Sequence, residues 1–133
     1  IRIQTALYSR YVKGEWVIED SERPWTANHE RRMHYQERAR RVRETRERFH
    51  WYAKAQAIPR LESVMVFVYP LAADRRWKPD VAACYPTVKA AIDGLVDAGV
   101  LADDDEAHLR SITFFPRKVC GKNGIRLIVR EVL

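Results

Sequence analysis

Lys89 and Asp93 stand four residues apart, Asp97 four further on, and the run Asp103-Asp104-Asp105-Glu106 follows closely; Asp80 lies upstream. Carboxylates are hard oxygen donors, and Mg²⁺ takes one or two of them together with water and phosphate oxygens. A lysine beside them offers positive charge to an anionic transition state. These residue types suit hydrolysis of a phosphodiester, which requires an activated water and neutralised charge on a phosphorane-like transition state. Asp80 and Asp104 fall at opposite ends of the segment Pro86–Ala98. The fold must therefore turn that segment back to make one pocket of them.

Simpler accounts exist for the same residues. Acidic runs are commonly solvated turns, and Lys89 with Asp93 is an i,i+4 pair worth a few tenths of a kcal/mol. For Asp93 the surface pair is the preferred account. His29, His34, His50 and His108 show no ligand-like grouping, and Cys84 and Cys120 are too few for a disulfide framework and lack a metal-type spacing. Trp25 and Trp77 flank loops, where they either stack on bases or pack into the interior.

The charge has a direction. The chain of 133 residues carries a net +6, and between Glu30 and Lys54 eight Arg and one Lys face four Glu, a local excess of +5. Nearly all the net charge sits on that segment, which points to a polyanionic partner. Neutralising phosphates releases counterions and adds affinity. The acids gather elsewhere. A basic surface beside a compact acidic cluster suits a protein that holds phosphates and positions a divalent ion.

The elements that must do the positioning follow from pattern. His29 to Gln56 contains no Gly or Pro and is rich in helix formers. Tyr35, Ala39, Val42, Phe49 and Ala53 mark a narrow apolar stripe, and Glu37–Arg41 and Glu44–Arg48 are spaced as i,i+4 pairs. This predicts one long amphipathic helix with a basic outer face. Ser63 to Tyr69 is a β-branched and aromatic run, expected to be a central strand buried on both sides. Asp74 to Ala83 is a polar loop. Pro86 opens a second helix and Gly99 ends it; Val88, Ala91, Ile92 and Leu95 form its apolar face, opposite Lys89, Asp93 and Asp97. Leu109–Phe115 and Ile125–Val132 are expected strands, with Asn123-Gly124 as a hairpin signal. The first 20 or so residues alternate, with Gly14 at a turn between two short strands. The fold class is α+β: a single two-layer domain, a mixed sheet packed with a long basic helix and a shorter one. The chain shows no internal repeat, no linker, no apolar run long enough to span a membrane and no signal-peptide layout at Ile1–Gln4, so a cytoplasmic protein is expected.

The stretch from Pro86 to Asp105, PTVKAAIDGLVDAGVLADDD, resembles the signature of RusA-type Holliday-junction resolvases: a helix carrying Lys and Asp four apart, an Ala-Gly ending, then an acidic pair. Thr26 to Tyr35 resembles the Asn-containing loop that enters the family's basic helix, and Ile125 to Val132 its last strand. The resemblance spans residues 16–133 and is specific at 86–105. It implies a catalytic role for Lys89 and Asp104 and for Asp80 in the family's Asp-rich loop. It implies metal binding by Asp80, Asp103 and Asp104, and DNA binding by Asn28, Arg31, Arg32, Arg38 and Arg41, with Arg75 and Arg76 from the polar loop. It further implies Mg²⁺ or Mn²⁺ as cofactor, a homodimer, branched DNA as partner, and a bacterial or phage setting. One departure is plain. The loop reads Asp80-Val81-Ala82-Ala83, without the second Asp or the Asn of the family.

Three functions compete at this level. The first is an endonuclease that resolves four-way DNA junctions by metal-dependent hydrolysis. The second, motivated by Ala82 and Ala83, is a junction-binding protein without catalysis. The third is a winged-helix DNA-binding regulator, since Val88–Leu101 has the cadence of a recognition helix with a hairpin after it. The acids on and behind that helix would repel the DNA backbone, which counts against the third.

Overall fold

The computed structural model describes residues 12–132. In chain order the elements are β1 (Val12–Asp20), α1 (Ala27–Arg32), α2 (Tyr35–Ala55), β2 (Val64–Ala72), α3 (Tyr85–Asp97), β3 (Leu109–Phe114), β4 (Lys118–Val119) and β5 (Gly124–Val132). The sheet runs β1-β5-β2-β3, with β4 also on β2. β5 is antiparallel to both β1 and β2, whereas β3 and β4 run parallel to β2. The fold is α+β, a mixed sheet with helices on one face.

Alternation decides which face. Val64, Val66 and Val68 are buried while Met65, Phe67 and Tyr69 are half-buried, so β2 is central as expected but is fully covered on one side only, not on both. Leu127 and Val129 lie beside Val68 and Val66 on the covered face, and Ile18 is paired with Leu127. These residues share one core with Phe49 and Ala53 of α2 and Val88, Ala91, Ile92 and Leu95 of α3. The open face carries Phe67, Tyr69 and Phe115, with Glu15–Arg130 and Glu19–Arg126 as cross-strand ion pairs.

Four expectations need correcting. The basic stretch is two helices. The Thr26 hydroxyl accepts from His29 N to start α1, Met33 leaves the helical region, and the His34 ring accepts from Gln36 N to start α2. Those side chains satisfy backbone donors that a continuous helix would have paired internally. The apolar stripe fails at its N-terminal end for a related reason: Phe49 and Ala53 are buried, Val42 is half-buried, but Tyr35 and Ala39 are exposed. The helix outruns the core it packs on.

The Asn123-Gly124 hairpin is absent. β3 and β5 lie on opposite sides of β2. Asn123 instead accepts at its Oδ1 from Ala73 N, and Gly124 allows close approach to β1: a Cβ there would stand 2.1 Å from the Asp20 carbonyl oxygen. Among the described residues β3 and β5 form no ribbon, so the hairpin that the winged-helix reading took for a wing is not formed. Gly14, expected at a turn between two strands, sits within β1 at a register shift. The other expected strand, with Ile3, Leu7 and Tyr11, lies outside the described residues. Among the described residues no helix is long and apolar enough to cross a membrane.

Candidate active site and nucleic-acid face

α3 presents three faces. Val88, Ile92 and Leu95 bury against the sheet. Ala90 and Gly94 are also buried, with Gly94 against α2: a Cβ at Gly94 would stand 2.4 Å from the Arg46 carbonyl oxygen. The remaining face carries Lys89 and Asp93, both half-buried. Asp97, expected beside them, turns toward α2 and takes a two-pronged ion pair from Arg46, at 3.0 and 2.8 Å.

The chain after α3 returns along the third face. Gly99 takes a left-handed backbone conformation (φ 83°), which reverses the direction, and Val100 and Leu101 anchor the return in the core. The Asp103 carboxylate accepts from Asp104 N at 2.8 Å, and the Asp105 carboxylate accepts from Ala107 N and His108 N at 3.2 Å to lead into β3. The acidic run is thus a series of turns held by its own side chains.

The outcome is that Lys89 Nζ donates to Asp104 as well as to Asp93, the latter at 2.8 Å. Lys89 and Asp104 are 15 residues apart in sequence. Partial burial disfavours the Lys89 ammonium, but the carboxylates of Asp104 and Asp93 outweigh it and its pKa stands above the ordinary lysine value. Lys89 in turn holds the Asp104 carboxyl below the usual carboxylate range. Asp93 makes the i,i+4 pair with Lys89 expected of it, and its carboxylate shares that ammonium with Asp104.

Asp80 does not join them. It is exposed in the turn before α3, where its carbonyl accepts from Ala83 N. Among the described residues no three His, Cys, Asp or Glu side chains converge on a common metal position, so Asp80, Asp103 and Asp104 do not form the three-acid seat expected from the sequence.

The DNA-binding candidates are spread along one loop-and-helix tract. Asn28, Arg31 and Arg32 are exposed on α1, with Arg31 on Asn28 at 3.2 Å. On α2, Arg38 lies 3.5 Å from Glu30 and Arg41 pairs with Glu37 at 3.1 Å. Arg75 and Arg76 are exposed beyond β2, Arg76 pairing with Asp74. Between these two groups stands Arg23, which spacing alone did not single out. It lines a cleft of about 460 Å³ with Arg76, Trp77 and Asn123, and a smaller one of about 170 Å³ with Arg40, Arg41 and Arg48. Its position depends on how the loop after β1 packs, which no local motif records. Trp25 is buried and donates through Nε1 to Glu30, so it is not a base-stacking residue; Trp77 is half-buried under the Arg23 guanidinium at 5.2 Å. A scan against protein-family models gives no match, and neither does a search of curated proteins.

Proposed function

We propose that this protein is a structure-specific endonuclease that resolves four-way DNA junctions as a homodimer by metal-dependent phosphodiester hydrolysis. The observation that carries the proposal is the meeting of Lys89 of α3 with Asp104, taken together with the excess of arginine along α1 and α2. The sequence resemblance to RusA-type resolvases gives those two residues catalytic roles, and a fold-back of the loop after α3 is what such roles require.

The donor set fits a divalent ion in part. Asp103 and Asp104 supply hard oxygens from adjacent positions, and Mg²⁺ is commonly held by one or two carboxylates completed by water and phosphate oxygens. Asp103 and Asp104 are the residues that would hold Mg²⁺ or Mn²⁺. Once bound, such an ion supplies an activated water and charge neutralisation at phosphorus. Asp93 and Asp104 both hold the Lys89 ammonium, and Lys89 offers its charge to the scissile phosphate or to the leaving oxygen. The arginines of α1, α2 and the loop beyond β2 hold the flanking backbone. The same reading places the protein in the cytoplasm of a bacterium or a phage-infected cell.

The test is cleavage of a synthetic four-way junction against linear duplex in Mg²⁺, Mn²⁺ and EDTA. Symmetric nicks in the junction are expected with either ion and none in EDTA. Asp104→Asn should abolish nicking while junction binding stays equal or tightens, since a negative charge near phosphate is removed. Normal cutting by that variant would overturn the assignment. The second reading, a junction binder without catalysis, is favoured by the exposed Asp80 and by Ala82 and Ala83. It predicts binding in EDTA and no nicks with any divalent ion, and cleavage recovered by Ala83→Asn would mark the machinery as weakened instead of lost.

A further inference from the structure

The smaller of the two clefts that share Arg23 is built by parts distant in sequence. Arg23, Glu22 and Trp25 come from the loop after β1, and Arg40, Arg41, Glu44, Thr45 and Arg48 from α2. Four guanidiniums line it: Arg40 pairs with Glu44, Arg41 with Glu37 and Arg48 with Asp20, while Arg23 rests on the Trp77 ring. From these we infer that the cleft is a binding site for one backbone phosphate of DNA, an inference that rests on the nucleic-acid reading above.

The cleft is preorganised. Arg48 is fixed by Asp20, which is 1% exposed and accepts from Arg48 at 3.0–3.3 Å and from the Tyr52 hydroxyl at 2.8 Å. The loop opposite is tied to α3: the Thr87 hydroxyl donates to the Trp25 carbonyl at 2.9 Å, and Ala27 N donates to the Ala83 carbonyl at 2.9 Å. The donors on the rim are less committed. Arg40 reaches Glu44 at 3.4 Å with both side chains about half exposed, and Arg23 rests on the Trp77 ring. An incoming phosphate would therefore meet one fixed guanidinium, Arg48, whose Nε and Nη2 are held by Asp20, and the adjustable guanidiniums of Arg23 and Arg40 on the rim, which match phosphate in a forked geometry. A volume of about 170 Å³ with polar walls suits a phosphodiester group more than a stacked base. Through Arg23 the same strand would pass on to Arg76 and Trp77.

The test uses the full chain and a fluorescent four-way junction in EDTA, with affinity measured by anisotropy across a potassium chloride series. Arg23→Gln combined with Arg40→Gln should weaken binding about tenfold at low salt and flatten the dependence of log affinity on log salt by about one phosphate contact. Arg60→Gln, which removes an exposed arginine far from the cleft in sequence, should leave both unchanged, and all variants should keep the wild-type urea midpoint. Equal effects from the double variant and Arg60→Gln, or none from the double variant, would overturn the phosphate site and leave the nuclease proposal standing. Failure of the unaltered protein to bind junction DNA would overturn both.

Discussion

Asp20 shows how a single side chain organises its surroundings. Its carboxylate is 1% exposed and holds both the Arg48 guanidinium and the Tyr52 hydroxyl. Replacing it with Asn leaves Arg48, itself 30% exposed, without its counterion, and should cost about 3 kcal/mol in urea unfolding. Burial, followed by the hydrogen bond and charge of Asp20, pushes the Tyr52 phenol up to about 12. A phenol raised in the folded state contributes stability that is complete below about pH 10, its unfolded value, and is lost as pH rises toward 12. Alkaline unfolding should fall in that window, and tyrosinate absorbance should show Asp20→Asn ionising earlier. The two thiols make a second contrast. Burial raises Cys84 to about 12, whereas Cys120 is exposed. A chromogenic thiol reagent near neutral pH should modify Cys120 in the folded protein and reach Cys84 only in denaturant; early labelling of Cys84 would contradict the packing of α3.

The elements differ in how plainly the sequence announces them. α3 was legible because its signals are local: Pro86 in the first turn, four apolar residues at helical spacing, Gly99 at the end. β2 was legible as a strand for the same reason. The pairing of strands was not, since Asn123-Gly124 carries the local signature of a tight hairpin while the sheet places β5 across β2 from β3. Register depends on which apolar faces meet in three dimensions, and that information is spread over the chain. The contact of Asp104 with Lys89 belongs to the same class: the resemblance gave both residues catalytic roles and the expectation was a meeting of Asp80 with Asp104, but nothing local recorded that Lys89 would be the partner. α2 and α3 pack closely at Gly94, where a Cβ would meet the Arg46 carbonyl oxygen at 2.4 Å. Gly94→Ala gains helix propensity of about 0.5–1 kcal/mol, but a backbone carbonyl yields less readily than a side chain, and overpacking costs about 1–3 kcal/mol. A net loss of about 1 kcal/mol of unfolding free energy is expected, seen as a lower urea midpoint, together with a weakened Arg46–Asp97 pair. An unchanged or raised midpoint would show that the two helices sit farther apart.

At the scale of the whole molecule, the proposed homodimer makes a prediction that a monomeric nuclease does not. A four-way junction has near two-fold symmetry, and a two-fold dimer offers it two equivalent sites. In a supercoiled plasmid that extrudes a cruciform, the first nick releases the torsion that maintains the junction, so a single site acting alone leaves a nicked circle. Two sites on one dimer can cut within the lifetime of one complex and give a linear product. The unaltered protein should therefore produce mainly linear plasmid in Mg²⁺. Mixing it with an equal amount of Asp104→Asn, after exchange of subunits, should make roughly half the dimers one-sided. Those dimers carry one intact Lys89–Asp104 pair and still bind through both basic tracts, so nicked circles should rise at the expense of linear product while total cutting falls less. Nicked circles from the unaltered protein alone, or a mixture whose product ratio does not change, would mean that the two cuts are uncoupled and that the acting species is a single chain.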